Sequence, residues 1–223
     1  AGRGRFMPAS TAAPAIKICG ISTPQALDAA IAARADHAGF VFFPASPRNV
    51  GLAQAASLAA HAAGRIATVG LFVDADDALI AEALAAARLD VLQLHGKESP
   101  ERAAQVKARF GLPVWKALSV ATREDVARAT AYAGAADLVL FDAKTPKGTL
   151  PGGMGLSFDW TLLSGLRLPM AWGLAGGLNP GNVADAVRIT AAPLVDTSSG
   201  VESAPGVKDD ARIAAFCAAA RSA

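Results

Sequence analysis

The 223-residue chain is 52% hydrophobic and 18% charged, with a formal net charge of +2. That is enough apolar material for one large core, and too small a charge excess to argue for a nucleic-acid partner; a small anionic ligand fits it. Two cysteines far apart, Cys19 and Cys217, make no disulfide framework and suit a reducing, cytoplasmic setting, and no apolar run reaches the roughly 20 residues of a membrane-spanning helix.

Residues 1–14 are rich in Gly, Arg, Ser, Pro and Ala and lack the apolar centre of a signal peptide; they read as a disordered extension, with Met7 a candidate natural start. From residue 15 to 223 strand and helix patterns alternate without a linker, which reads as one catalytic domain. The first strand is expected over 15–19, and Thr23 then caps a helix with Pro24 at its first position, running to about residue 33. The second strand spans 37–43, and a loop over 44–51 leads into an Ala-rich helix ending near 63. A third strand at 66–72 precedes a helix at 76–87. The fourth strand, 91–95, is followed by Ser99-Pro100-Glu101, a helix start. The fifth spans 113–117, with Thr122 capping the next helix. The sixth spans 138–141; a Gly-rich loop over 143–157 then leads to a short helix from Asp159. The seventh covers 170–175, with Asn179-Pro180 opening its helix. The eighth covers 194–196, and a last helix spans 209–220.

Strands alternating with helices of this size imply a parallel sheet. Eight such units at this length predict an α/β fold of one (β/α)₈ TIM barrel, eight parallel strands with helices outside. An open doubly wound sheet is the alternative; the lack of a GxGxxG after the first strand speaks against it, as do phosphate-type loops that come late in the chain.

Barrel enzymes keep their chemistry at the C-terminal ends of the strands. Side chains alternate between the faces of a strand, so in Ile16-Lys17-Ile18-Cys19-Gly20 the pair Lys17 and Cys19 shares a face, and Gly20 lets the chain turn beside the thiol. Cys19 is therefore read as a catalytic base. Gln93 and His95, Asp142 and Asp196 occupy equivalent strand ends; any one alone reads more readily as a satisfied interior polar group, and their common position favours a site. Gly176-Gly177, opening the loop after the seventh strand, and Ser198-Ser199, after the eighth, offer backbone N–H groups to a phosphate, although one Gly-Gly turn alone is a tight connection. Arg48, in Ser46-Pro47-Arg48, has the fork that holds a carboxylate, with a plain surface arginine as the equal alternative. Lys17 and Lys116 both take inward parity; Lys116 reads as an interior cation paired with a carboxylate, and Lys17 is close enough to favour a Cys19 thiolate, a free thiol titrating near ~8.5. Cys217 reads as core, and His37 and His61 show no partner. No His/Cys/Asp cluster has metal-ligand spacing.

The segments Lys17-Ile18-Cys19-Gly20, Ser46-Pro47-Arg48, Leu92-Gln93-Leu94-His95-Gly96, Phe141-Asp142, Phe158-Asp159-Trp160, the run from Leu174 through Gly176-Gly177 to Pro180, and Asp196-Thr197-Ser198-Ser199-Gly200-Val201-Glu202 give the chain its resemblance to the phosphoribosylanthranilate isomerases of tryptophan biosynthesis. The resemblance implies a (β/α)₈ barrel, a phosphosugar substrate, no cofactor, and an Amadori rearrangement of N-(5-phosphoribosyl)anthranilate. It implies Cys19 as general base, Asp142 as general acid, Arg48 on the anthranilate carboxylate, the Gly176-Gly177 and Ser198-Ser199 loops on the phosphate, and Asp196 near the substrate with Gln93 and His95. It also implies a cytoplasmic enzyme, monomeric or else homodimeric, with no nucleic-acid or membrane partner. Met154 departs from the resemblance, standing between glycines where a small hydroxyl residue is usual. The phosphate loops alone are equally compatible with another phosphosugar isomerase or epimerase, or with a barrel that binds phosphorylated ligands without catalysis.

Overall fold

The computed structural model describes residues 12–143 and 157–223; residues 1–11 of the expected extension, and the 144–156 stretch with Met154, lie outside the described residues. Eight parallel strands close in chain order into a barrel: β1 (Ala15–Ile18), β2 (His37–Phe42), β3 (Ala67–Phe72), β4 (Val91–Leu94), β5 (Val114–Val120), β6 (Leu138–Ala143), β7 (Ala171–Leu174) and β8 (Leu194–Thr197). Around it lie α1 (Pro24–Ala32), α2 (Leu52–Ala62), α3 (Asp77–Ala86), α4 (Pro100–Phe110), α5 (Arg123–Ala127), α6 (Val183–Thr190) and α7 (Asp210–Arg221). The closed barrel was the expectation, and the open sheet is excluded. Among the described residues no helix is long and apolar enough to cross a membrane.

The helix starts follow the chemistry of their first turns. Thr23, Asp76, Ser99, Thr122 and Asp209 each accept a backbone N–H from the first turn, and Thr122 with Asp125 forms a reciprocal capping box. Asn179-Pro180 does not open a helix: Asn182 Oδ1 accepts the Asn179 N–H at 2.8 Å and its amide donates to the Gly177 carbonyl, so these residues build the loop and α6 starts at Val183. Nor does Asp159 open an α-helix. It caps a 3₁₀ turn, Trp160–Leu163, closed by Gly165 at φ +70°. β5 and β6 run beyond their expected ends because Ser119 pairs with Asp142 and Val120 with Ala143. A small hairpin, β9 (Glu202–Ala204) with β10 (Val207–Lys208), was not foreseen.

Both faces of the barrel wall are buried. A cluster of Val69, Val91, Trp115, Ala117, Leu138, Leu140, Ala175 and Leu194 fills the lumen, while a larger apolar layer joins the outer wall to the helices. This corrects the parity of Lys116: Trp115 and Ala117 take the inward positions, so Lys116 points outward, where it meets Glu98 at 2.9 Å and the Gly96 carbonyl at 2.7 Å. The expected pairing with a carboxylate holds. Cys217 is core, and burial pushes its thiol up to about 11. His61 does have a partner, Asp28 at 2.7 Å, and the His37 ring meets Trp115 edge-on in the lumen.

At the N-terminal end of the barrel an aspartate immediately precedes each of β2, β4 and β6. Asp36, Asp90 and Asp137 each accept the N–H of one residue on the preceding strand (Ile16, Thr68 and Val114, each 2.8 Å) and donate their own N–H to that residue's carbonyl. Each is a two-bond latch between neighbouring strands. For Asp137, burial tends to raise the carboxyl, but Lys107 and the Val114 N–H outweigh it and hold the group below its ordinary 3.8. A depressed native value stabilises the fold above the ordinary value, and that contribution disappears as pH falls through the depressed one. Asp137→Ala is therefore expected to lower the melting temperature at pH 7 by about 3–8 °C, with the gap from wild type closing as the pH is taken below about 4, as read by calorimetry across that range.

Candidate active site

The site is built on the inward positions at the C-terminal rim. Lys17, on β1, has no exposed surface, and its Nζ lies 3.0 Å from Asp196 Oδ1 on β8. Burial alone would lower the ammonium, but the Asp196 carboxylate and then the Cys19 sulfur, to which it also hydrogen-bonds, raise it above the usual lysine value. Asp196 is pushed up by burial, against the pull of Lys17, and it also senses the Asp142 carboxylate and His95. Cys19 follows β1 directly, its N–H donating to the Thr197 carbonyl at 2.8 Å, and packs with Val41 and Leu71. Gly39 makes this possible: a Cβ there would stand 2.8 Å from the Cys19 sulfur and 3.3 Å from Lys17 Cε.

Across the lumen, Gln93 donates its amide N–H to His95 Nδ1 at 3.2 Å, and His95 Nε2 lies 3.1 Å from Asp142 Oδ2. With Nδ1 accepting, the ring proton sits on Nε2 and is donated to Asp142. Asp142 Oδ1 accepts the Ala143 N–H at 2.9 Å. His95 is thus placed on Asp142. Gly176, at φ +87°, closes over the same carboxyl, and a Cβ on it would come within 2.7 Å of Oδ1.

The loops above complete the rim. Gly176 and Gly177 both take positive φ, and Thr197 Oγ1 donates to the Leu178 carbonyl at 2.7 Å, tying the β7 loop to the end of β8. The 3₁₀ turn Ser199–Val201 follows directly, so the loops after β7 and β8 lie side by side at the rim. Arg48 crosses Gly20, where a Cβ would stand 2.6 Å from Arg48 Cδ and 3.1 Å from Ser198 Oγ. The Arg48 fork grips Glu202 at 2.8 and 2.6 Å, and Lys208 reaches Glu202 at 2.8 Å. The surface-arginine alternative falls, since Arg48 is 9% exposed.

All eleven sequence-derived residues therefore stand at one end of the barrel: Cys19 with Asp196 and Lys17, Asp142 with Gln93 and His95, and the two loops and Arg48 above. The residue missed outright is Lys208. Its signal was faint, one lysine just ahead of the cap of the last helix, and its burial depends on a hairpin that no periodicity announced.

Residues 16–219 match the model of a family described as N-(5'phosphoribosyl)anthranilate (PRA) isomerase. The N-(5'-phosphoribosyl)anthranilate isomerase of Rhodopseudomonas palustris (strain BisA53) is 58% identical over 207 residues, 92% of this chain and 95% of that protein. The crystal structure of phosphoribosyl anthranilate isomerase from Thermotoga maritima superposes with a TM-score of 0.83 at 33% identity, covering 94% of this chain and 100% of that one. A structure of such an isomerase in complex with reduced 1-(o-carboxyphenylamino)-1-deoxyribulose 5-phosphate gives 0.81 at 31% identity, with the same coverage.

Removing one partner of a buried ion pair strands the other. Lys17→Met is accordingly expected to cost about 3–5 kcal/mol in urea unfolding, and Lys17→Met combined with Asp196→Leu to recover most of that loss.

Proposed function

The chain belongs to the N-(5'-phosphoribosyl)anthranilate isomerase family, and from that premise we propose that Cys19 and Asp142 are the base and acid of its reaction. The reaction, a step of tryptophan biosynthesis, turns N-(5'-phosphoribosyl)anthranilate into 1-(2-carboxyphenylamino)-1-deoxyribulose 5-phosphate. The supporting observation is that a thiol and a carboxyl from different strands stand at one rim, with the buried Lys17–Asp196 pair beside the thiol and His95 on the carboxyl.

The neutral Asp142 carboxyl gives the proton on Oδ1 to the furanose ring oxygen, while Oδ2 keeps accepting from His95. The C1–O bond breaks, and the anilino nitrogen lone pair forms a C=N bond to C1. Cys19, as thiolate beside the Lys17 ammonium, takes the proton from C2. The released electron pair forms C1=C2 and returns the C=N pair to nitrogen, giving an enolamine that tautomerises to the ketone. Both proton transfers use groups already positioned by the strands, and each contributes a factor of ~100 to 10,000. No step calls for electron transfer, so the reading needs no cofactor.

Three further roles belong to the same reading. The Gly176-Gly177 and Ser198-Ser199 loops bind the phosphate through backbone N–H groups. Arg48 binds the anthranilate carboxylate: Glu202 uses two of its five N–H donors, and the three left lie on its outer edge. Gln93, His95 and Asp196 bind the sugar side of the substrate, His95 through Asp142. The enzyme is read as a cytoplasmic monomer, with a homodimer as the alternative; its two free thiols suit a reducing compartment.

The experiment is steady-state turnover followed by loss of the substrate's anthranilate fluorescence. Cys19→Ala and Asp142→Asn are each expected to lower kcat by ~100-fold or more while still binding substrate. Near-native turnover in both would refute the assignment.

A further inference from the structure

The hairpin after β8 is not needed to close the barrel, yet it buries a carboxylate and an ammonium. Glu202 and Lys208 have side chains 3% and 2% exposed. Burying charge is costly, and a buried pair is weak evidence for a stabilising role, since apolar residues of similar volume often do as well. What the pair touches is more informative. Glu202 accepts from Arg48 Nε and Nη2, from Lys208 Nζ at 2.8 Å, and from the Gly206 N–H at 3.3 Å. Lys208 Nζ donates to the Ser198 carbonyl at 3.0 Å, to Ser198 Oγ at 3.3 Å, and to Glu202. An ammonium has three donors, and all three are used.

We propose that Glu202 and Lys208 are positioning residues that fix the separation between the two anion-binding ends of the site. The inference rests on the reading above, in which Arg48 takes the substrate carboxylate and the Ser198 loop its phosphate. Arg48 and Ser198 sit on loops from opposite ends of the chain, and the chain Arg48–Glu202–Lys208–Ser198 is a continuous run of charge-assisted bonds between them. It passes over Gly20, next to Cys19. The hairpin turn is itself pinned to the Arg48 loop: at Gly206, φ +81°, a Cβ would stand 2.8 Å from the Pro47 carbonyl oxygen. Lys208 has no donor left for a ligand, so it acts through Ser198 and Glu202. The ligand such a device selects carries a carboxylate at one end and a phosphate at the other, at one span.

The test is a set of variants, Glu202→Gln and Lys208→Met, alone and combined with Arg48→Ala, assayed for kcat and KM with phosphoribosylanthranilate and for inhibition by inorganic phosphate. Each single variant is expected to raise KM about tenfold with kcat within about threefold of wild type, and Lys208→Met to weaken phosphate inhibition to a similar degree. Because Glu202 acts through Arg48, Glu202→Gln should add less than about twofold to the KM of Arg48→Ala. Lys208→Arg, which keeps charge and donors, should stay near wild type, and the two Lys208 variants carry the test should Glu202→Gln fail to fold. Full, multiplicative effects in the double variant, or an unchanged KM in Lys208→Met, overturn the inference while leaving the role of Arg48 intact. An unchanged KM in Arg48→Ala overturns both.

Discussion

The open end of this barrel depends on one ammonium group kept out of water. Lys17 is the first charged residue of the wall, Asp196 nearly the last, and 179 residues separate them. Their bond lies on the seam where the sheet closes on itself. That seam carries four register pairs between β1 and β8, whereas β7 meets β8 in one. An ion pair in the lumen is costly unless its geometry is good and its remaining bonding capacity is used. Here Lys17 also interacts with the Cys19 sulfur. The interaction that registers the last strand against the first thus also sets the charge beside the thiol.

The rim is crowded enough that glycine becomes a spatial requirement. Gly39 yields its side-chain volume to Cys19 and Lys17, Gly20 to Arg48 and Ser198, and Gly176 to Asp142. At Gly20 and Gly176 the backbone also has positive φ, so a side chain would be strained as well as obstructed. These three glycines let groups from four different strands, or the loops that follow them, approach one small volume. The opposite end of the barrel works differently. There Asp36, Asp90 and Asp137 latch neighbouring strands with backbone bonds. Carboxylates at one pole hold the wall together, and carboxylates at the other are available for chemistry.

Much of this was legible because strand periodicity is two. Parity alone brought Lys17 to the side of Cys19 and Gln93 to the side of His95, and it put Asp142 in line with the lumen residues Leu138 and Leu140. It failed for Lys116, because a polar residue in a strand was taken as facing the site when Trp115 held the inward position. The element ends were less legible for a physical reason: caps compete with loops for the same side chains. Asn182 is used up on Asn179 and Gly177, so the helix after β7 starts three residues late. The latches were written as an aspartate just before three even-numbered strands, but that pattern acquires meaning once the partner N–H on the preceding strand is known. The β9–β10 hairpin was the least legible element. Five residues of strand are held by Pro205-Gly206 and by contacts with a loop more than 150 positions away, and no local signal carries that.

An acid–base isomerisation moves charge through several positions of one sugar, and each position needs its counter-charge in place beforehand, since a site that reorganised around each intermediate would lose the advantage of excluding water. The distribution of bonds here answers that need. The ammonium of Lys17 stands beside the Cys19 sulfur, the atom proposed to take the C2 proton. The His95 ring N–H stands behind the Asp142 carboxyl, the group proposed to give up its proton. Neither cation nor donor has to move between steps. The fixed charges on the β8 side, Arg48, Glu202 and Lys208, sum to one positive charge, (+1) + (−1) + (+1) = +1, against a substrate carrying negative charge at both ends. Binding therefore draws on oriented donors more than on net attraction. That is the arrangement expected when the protein must hold a flexible, ring-opened intermediate in one conformation while its two ends stay tethered.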